Sequence, residues 1–192
     1  MLIDIYTHIF PGTFYEQMSK AAPRLGNIGK RMQAVVPVYN IEERFRKMDA
    51  YGDYKQLISL PPPPLEDITD TETGTHLARV ANDAMAEVCI KHPERFVGFA
   101  AALCMLDMEG AMEELHRSIK DLGARGVQIF TNVNGEPLDK LKYLPLFNAM
   151  AEYDLPIWMH PSRGAEMSDY RGEERSRYEM WWCFGWPYET SV

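Results

Sequence analysis

Residues 124–130, ARGVQIF, and 155–160, LPIWMH, are two short apolar runs that bracket one helix-length stretch. Each is nearly continuous in hydrophobicity rather than alternating, the pattern of strands buried on both faces of a parallel sheet. Between them, residues 138–153 place Leu141, Leu144, Phe147, Met150 and Ala151 at helical spacing. A strand, a helix and a second strand in that order form a βαβ unit, whose crossover is right-handed. The same alternation extends toward the N-terminus. FVGFAAAL (96–103), QLISL (56–60) and LIDIY (2–6) are further strand-like runs. Helices are predicted over 109–122, over 75–92 with Thr73 or Thr75 as N-cap, and over 41–52 with Gly52 as C-cap. The order β-α-β-α-β-α-β-α-β fits a doubly wound sheet or a (β/α) barrel. The segment 12–40 breaks the pattern and reads as an irregular excursion after the first strand, of the kind that often forms a lid.

Composition removes several function classes. The chain has 192 residues, 20 Lys+Arg against 28 Asp+Glu, a net charge of −8 and 46% hydrophobic residues. That balance supports a packed core and argues against a nucleic-acid partner, which needs a basic face. No apolar run approaches the ~20 residues of a membrane helix. The N-terminus, MLIDIYTHIFPG, has no basic region and no small-residue cleavage site, and so does not read as a signal peptide. Cys89, Cys104 and Cys183 lack metal-like spacing and suit reduced thiols, so a cytoplasmic protein is expected. No GxGxxG or GxxxxGK[ST] follows any strand, which removes the main support for nucleotide binding.

In either architecture, chemistry gathers at the carboxyl ends of the strands. The first strand delivers Tyr6 and His8, two residues apart and hence on one face. The second delivers Ser59 and the run Pro61 to Pro64, the fourth Thr131 and Asn132, and the fifth His160 followed by Pro161, Ser162 and Arg163. Imidazoles at strand ends can ligate a divalent metal, act as a general base or orient substrate. They can equally be polar residues hydrogen-bonded near a strand end. His76, His92 and His116 lie on predicted helices and are assigned to structure or solvent. Arg163 is a candidate carboxylate contact, whereas Arg171, Arg175 and Arg177 alternate with acids in a self-neutralising loop. Trp181, Trp182 and Trp186 either wall an aromatic pocket or pack a rim.

The motifs IDIYTHIFP (3–11), QLISLPPPP (56–64), FVGFAAAL (96–103), GARGVQIFTNVNG (123–135), LPIWMHPSRG (155–164) and GWPYETSV (185–192) together resemble the amidohydrolase superfamily. Within it they are most similar to the branch of aminocarboxymuconate-semialdehyde decarboxylase and related aromatic-acid decarboxylases. The resemblance implies a (β/α)8 TIM barrel with a divalent metal, most often Zn2+, at its C-terminal face. The family's ligands are an HxH pair on the first strand, a His on the fifth and an Asp on the eighth; a sixth-strand His serves catalysis. His8 matches the second histidine of the pair and His160 the fifth-strand ligand. Tyr6 stands where the first histidine would be. A phenol with a pKa of ~10 is a poorer zinc ligand than imidazole, although a metal can drive its deprotonation.

Only about five βα units are legible, where a barrel needs ~250 residues. Residues 1–192 are therefore expected to form a single, incomplete barrel domain, with the sixth-strand His and eighth-strand Asp beyond Val192. The resemblance implies a metal-dependent decarboxylase of a small aromatic or enoic carboxylic acid, and a homodimer. Two alternatives remain: a metal-dependent hydrolase of C–N or C–C bonds, and a non-catalytic relative in which Tyr6 marks a degenerate metal site.

Overall fold

The computed structural model describes residues 1–22, 31–32 and 34–192. Strands β1 (Leu2–His8), β2 (Tyr54–Ser59) and β3 (Phe96–Phe99) form one parallel sheet in that order. Strands β4 (Ala101–Ala102), β5 (Val127–Phe130) and β8 (Ile157–His160) form a second. Only Ala100 separates β3 from β4. Its N–H bonds back to Ile58 O at 2.9 Å, and the next N–H, of Ala101, bonds forward to Gly126 O at 2.9 Å. Residues 96–102 thus act as one strand shared by both sheets. The five principal strands follow their chain order without the reversal that defines a doubly wound sheet, so the barrel-type alternative is the one observed.

The helices occupy the predicted crossovers with shifted ends. Helix α1 (Gly12–Ala21) falls in the stretch read as irregular and buries Phe14 and Met18. The rest of that excursion includes residues 23–30 and 33, which lie outside the described residues. Helix α2 (Ile41–Met48) starts at Asn40, whose side chain accepts from Glu43 N. Gly52, at φ +70°, closes the turn beyond it. A short helix, α3 (Leu65–Ile68), follows the proline run. Helix α4 (Thr71–Lys91) is capped by Asp70 rather than Thr73 or Thr75: the carboxylate accepts from Thr73 N and suits the positive end of the helix. Helix α5 (Met108–Lys120) is capped by Asp107. Helix α6 (Leu144–Tyr153) starts later than expected: β6 (Asn132–Val133) and β7 (Glu136–Pro137) form a small hairpin, and Leu141–Tyr143 form a 3-10 turn before the α-helix begins. None of the helices among the described residues is long and apolar enough to cross a membrane.

Burial follows position in the sheet. The inner strands β2 and β5 are largely buried, and Ile58, Ile129, Leu77, Met85, Leu115 and Leu146 anchor the core. The outermost strands do not meet the expectation of burial on both faces. In β1, Leu2 is 57% and Ile5 60% exposed, and in β8 Met159 is 41% exposed. Among the described residues, each has a ladder partner on one side only. Side chains nevertheless link the two: Trp158 Nε1 donates to Ile5 O at 2.7 Å, and Tyr6 Oη donates to Met159 O at 2.9 Å.

Gly126 allows β5 and β8 to approach. Its φ is +153°, and a Cβ there would lie 2.2 Å from Pro156 O, a backbone atom that cannot rotate away. Gly126→Ala is expected to destabilise the protein by about 2–3 kcal/mol, since strain and a backbone clash combine. Chemical denaturation measures this, and a change within 0.5 kcal/mol, the ordinary scale of surface substitutions, would contradict it.

Candidate active site at the strand ends

The structure brings together Tyr6, His8 and His160, from the first and last principal strands. The ring centroids of His8 and His160 are 5.2 Å apart, with Tyr6 at 5.6 Å from His8 and 6.1 Å from His160. His160 ends β8 and is 5% exposed. Its Nδ1 lies 2.6 Å from Pro161 O. A carbonyl only accepts, so Nδ1 carries the proton and Nε2 the lone pair. His8 Nδ1 lies 3.0 Å from Ser59 Oγ, whose own hydrogen is directed to Thr7 O at 3.2 Å. The serine therefore accepts from Nδ1–H, and again Nε2 keeps the lone pair.

The environment keeps both rings neutral. Burial lowers the His8 pKa to about 3, helped by the adjacent His160 and the Arg44 guanidinium and opposed by a backbone hydrogen bond to Leu60. Burial likewise lowers the His160 pKa, opposed by the Pro161 carbonyl and by Glu189. Tyr6 behaves differently. Burial pushes its phenol up to about 12, and its proton is held on Met159 O. Among the described residues, no group of three or more His, Cys, Asp and Glu side chains is arranged to hold a metal ion.

Beside the imidazoles lies a cavity of about 660 Å³, lined by Pro62, Asp67, Asn132, Arg163, Trp181 and Trp186 among others. His8 and His160 are not in its lining; Pro161, next to His160, is. Trp186 joins the two regions. Its ring stands edge-on to His160 at 5.4 Å, and its Nε1 donates to Arg163 O at 2.9 Å. Trp181 is buried, so these two tryptophans wall a pocket as well as packing a rim. Among the described residues, the Arg163 side chain makes only long contacts, to Met167 Sδ at 3.8 Å and Ser168 O at 3.5 Å. In the following loop, Arg177 pairs with Glu173 at 3.6 Å.

Several residues of this region escaped the sequence analysis. Glu189, on the last helix α8 (Gly185–Glu189; α7 is Met180–Cys183), accepts from Ser162 N at 3.0 Å, Arg163 N at 2.8 Å and Asn132 Nδ2 at 2.5 Å. It therefore fixes the loop that carries Arg163. Nothing in its local sequence marks it, because its partners lie 26 or more residues away. The other histidines match their assignment to structure: His76 bonds Gln17, His116 bonds Tyr153 Oη, and His92 packs on Phe45. Burial raises the Cys89 and Cys104 thiols to about 12 and about 11, which makes them inert.

Two acids after the proline run were also missed. Burial, reinforced by Glu166 and Glu189, pushes the cavity-lining Asp67 up to about 6. Burial also pushes Glu66 up to about 7, against the hydrogen bond its Oε1 accepts from Met105 N at 2.8 Å; its Oε2 has no partner among the described residues. The folded pKa of Glu66 lies above its unfolded value. Its stabilising contribution is therefore complete below pH 4.5 and is lost as pH rises through about 7. Glu66→Gln keeps the acceptor for Met105 and cannot ionise. Relative to the parent, this variant is expected to gain on the order of 2–3 kcal/mol between pH 4.5 and pH 8. Parallel stability–pH curves for the two proteins would contradict this.

Parallel strands joined by helices, with polar side chains gathered at the strand ends, define a barrel-type α/β protein, and comparison with known proteins specifies the family. The amidohydrolase family model matches residues 3–191, and the chain belongs to that family. It is 37% identical over 163 residues to gamma-resorcylate decarboxylase of Polaromonas sp. (strain JS666 / ATCC BAA-500), covering 79% of this chain and 48% of that protein. The crystal structure of 5-carboxyvanillate decarboxylase from Sphingomonas paucimobilis superposes with a TM-score of 0.78 at 26% identity, covering 99% of this chain and 60% of that one. The dihydroxybenzoic acid decarboxylase structure from Polaromonas sp. JS666, with bound manganese, gives a TM-score of 0.66 at 28% identity, covering 83% and 49%. The chain thus spans about half the length of the relatives it matches.

Proposed function

We propose that this chain contributes to a metal-dependent decarboxylase of small aromatic or enoic carboxylic acids. The observation that carries the reading is the pair of strand-end imidazoles, 5.2 Å apart, each with Nδ1 engaged and Nε2 left with its lone pair. That donor arrangement suits a divalent cation, manganese or zinc, held by His8 and His160. Tyr6 stands outside this ligand set, since its hydroxyl hydrogen is committed to Met159 O. The decarboxylase relatives, one of them with manganese, support the same reading.

A bound divalent ion would supply Lewis-acid polarisation of substrate oxygens. The chain's own residues do the rest of the binding. Arg163, without a carboxylate partner among the described residues, receives the substrate carboxylate as a charge-assisted pair. Trp181 and Trp186 provide flat apolar walls for an aromatic ring, and Asn132 and Ser162 offer neutral polar contacts. Glu189 keeps the Arg163 loop in place through two backbone N–H groups. We further propose that residues 1–192 form the first five βα units of an eight-unit barrel. In that reading, the sixth-strand His and eighth-strand Asp of the family come from outside these residues.

The test is carbon dioxide release from a panel of hydroxybenzoic and enoic acids, with Mn2+ or Zn2+ supplied. Release of carbon dioxide with the decarboxylated product supports the lyase. Formation of a new acid from amides or β-diketones without carbon dioxide replaces it with the hydrolase. Absence of both reactions and of metal uptake, in a protein that also carries the sixth-strand His and eighth-strand Asp, favours the non-catalytic relative.

A further inference from the structure

Arg44 lies on the inner side of α2 and is 5% exposed, an unusual place for a guanidinium. Its hydrogen bonds go to neutral acceptors. Nε donates to Pro37 O at 3.1 Å, Nη1 to Gln56 Oε1 at 2.5 Å, and Nη2 to the backbone carbonyl of His8. Among the described residues, a carboxylate is reached only through intermediaries: Gln56 Nε2 donates to Tyr54 Oη at 3.0 Å, and Tyr54 Oη donates to Asp4 Oδ2 at 2.9 Å. A buried cation without a direct ionic partner carries a large desolvation cost, which an apolar residue on this helix face would avoid. What an apolar residue could not do is hold the His8 carbonyl. His8 is the last residue of β1, where the ladder ends and the chain turns through Ile9 and Phe10. The planar fork of Arg44 ties that carbonyl to β2, through Gln56, and to the turn before α2, through Pro37.

We propose that Arg44 is a positioning residue for the His8 imidazole: its grip on the His8 carbonyl sets the ring so that Nδ1 meets Ser59 and Nε2 is presented beside His160. The inference rests on the reading of His8 as a metal ligand. The rival account is that Arg44 merely staples α2 to the sheet.

The test compares the parent with Arg44→Met, Arg44→Lys and the control Arg46→Met, which removes an exposed ion pair to Glu43 on the same helix. Two readouts are needed: long-range 1H–15N spectra of the His8 ring in the metal-free protein, and Co2+ affinity followed by visible absorption. The parent is expected to show a single Nδ1–H tautomer. Arg44→Met is expected to show mixed tautomers and about tenfold weaker Co2+ binding, the scale seen when a ligand-orienting partner is lost. Arg46→Met should match the parent. If Arg44→Met does not fold, Arg44→Lys decides: one ammonium cannot serve three spread acceptors, so Co2+ binding should weaken severalfold. A variant with lowered thermal stability but unchanged tautomer and Co2+ affinity would overturn the proposal. If the parent itself binds no Co2+, the metal-site reading fails separately, and the metal-free tautomer still decides the role of Arg44.

Discussion

On the proposed reading, His160→Ala is expected to lose divalent-metal binding, with affinity falling by at least ~100-fold, beyond the usual effect of losing a residue that only orients a ligand. Carbon dioxide release is expected to fall with it. In that reading His160 supplies one of two neighbouring imidazoles, with Nε2 as its free nitrogen because Nδ1 is engaged by Pro161 O, and alanine removes that donor. The fold should survive the substitution. His160 is the last residue of β8, and its backbone N–H and carbonyl remain available to the ladder; its carbonyl still accepts from Thr131 N at 3.0 Å. Calorimetric titration with Mn2+, alongside circular dichroism, separates loss of the ligand from loss of structure. Unchanged affinity in a folded variant would remove His160 from the metal site.

The largest effect on stability is expected at Asn82, on α4 and 0% exposed. Its Nδ2 donates to Ala102 O at 2.9 Å and to Glu114 Oε1 at 2.7 Å, and its Oδ1 accepts from Ala102 N at 2.8 Å. It therefore completes the short strand β4 from the side of a helix. It also helps to hold the carboxylate of Glu114, 1% exposed, which is bound in addition by Arg117 and Ser118. Asn82→Ala leaves a backbone N–H and a carbonyl unpaired in the core and takes one donor from a buried charge. Those losses together correspond to about 3–5 kcal/mol, a large share of the stability of a domain this size. Urea denaturation measures it, and a loss under about 1 kcal/mol, the scale of one ordinary hydrogen bond, would contradict this view of the network.

The strand order was legible because β2, β3 and β5 are buried, and burial on both faces writes itself as continuous apolar runs such as QLISL and ARGVQIF. The exposure of β1 was not legible. LIDIY has the same composition as a buried strand, and only knowledge of which neighbours are present distinguishes the two. Helix α1 was hidden because it begins at Pro11-Gly12 and carries a polar face, so its two buried residues, Phe14 and Met18, make a sparse pattern. At the site, His8 and His160 stood out as imidazoles at strand ends, a signal local to each strand. Arg44 also left a trace. It falls between Ile41, Phe45 and Met48 at helical spacing, on the face those residues bury, and a charge there is the anomaly that marks a role. Glu189 and Glu66 left none. Their significance comes from loops that only folding brings near, and no spacing rule connects them to the strands they serve.

The proposed function stands on His8 and His160 jointly holding a divalent ion. An anomalous difference map from crystals grown with Mn2+ tests this. One manganese is expected, bonded to Nε2 of both His8 and His160, with Tyr6 Oη still on Met159 O. A manganese bound elsewhere, or none at all with both imidazoles unchanged, would contradict it.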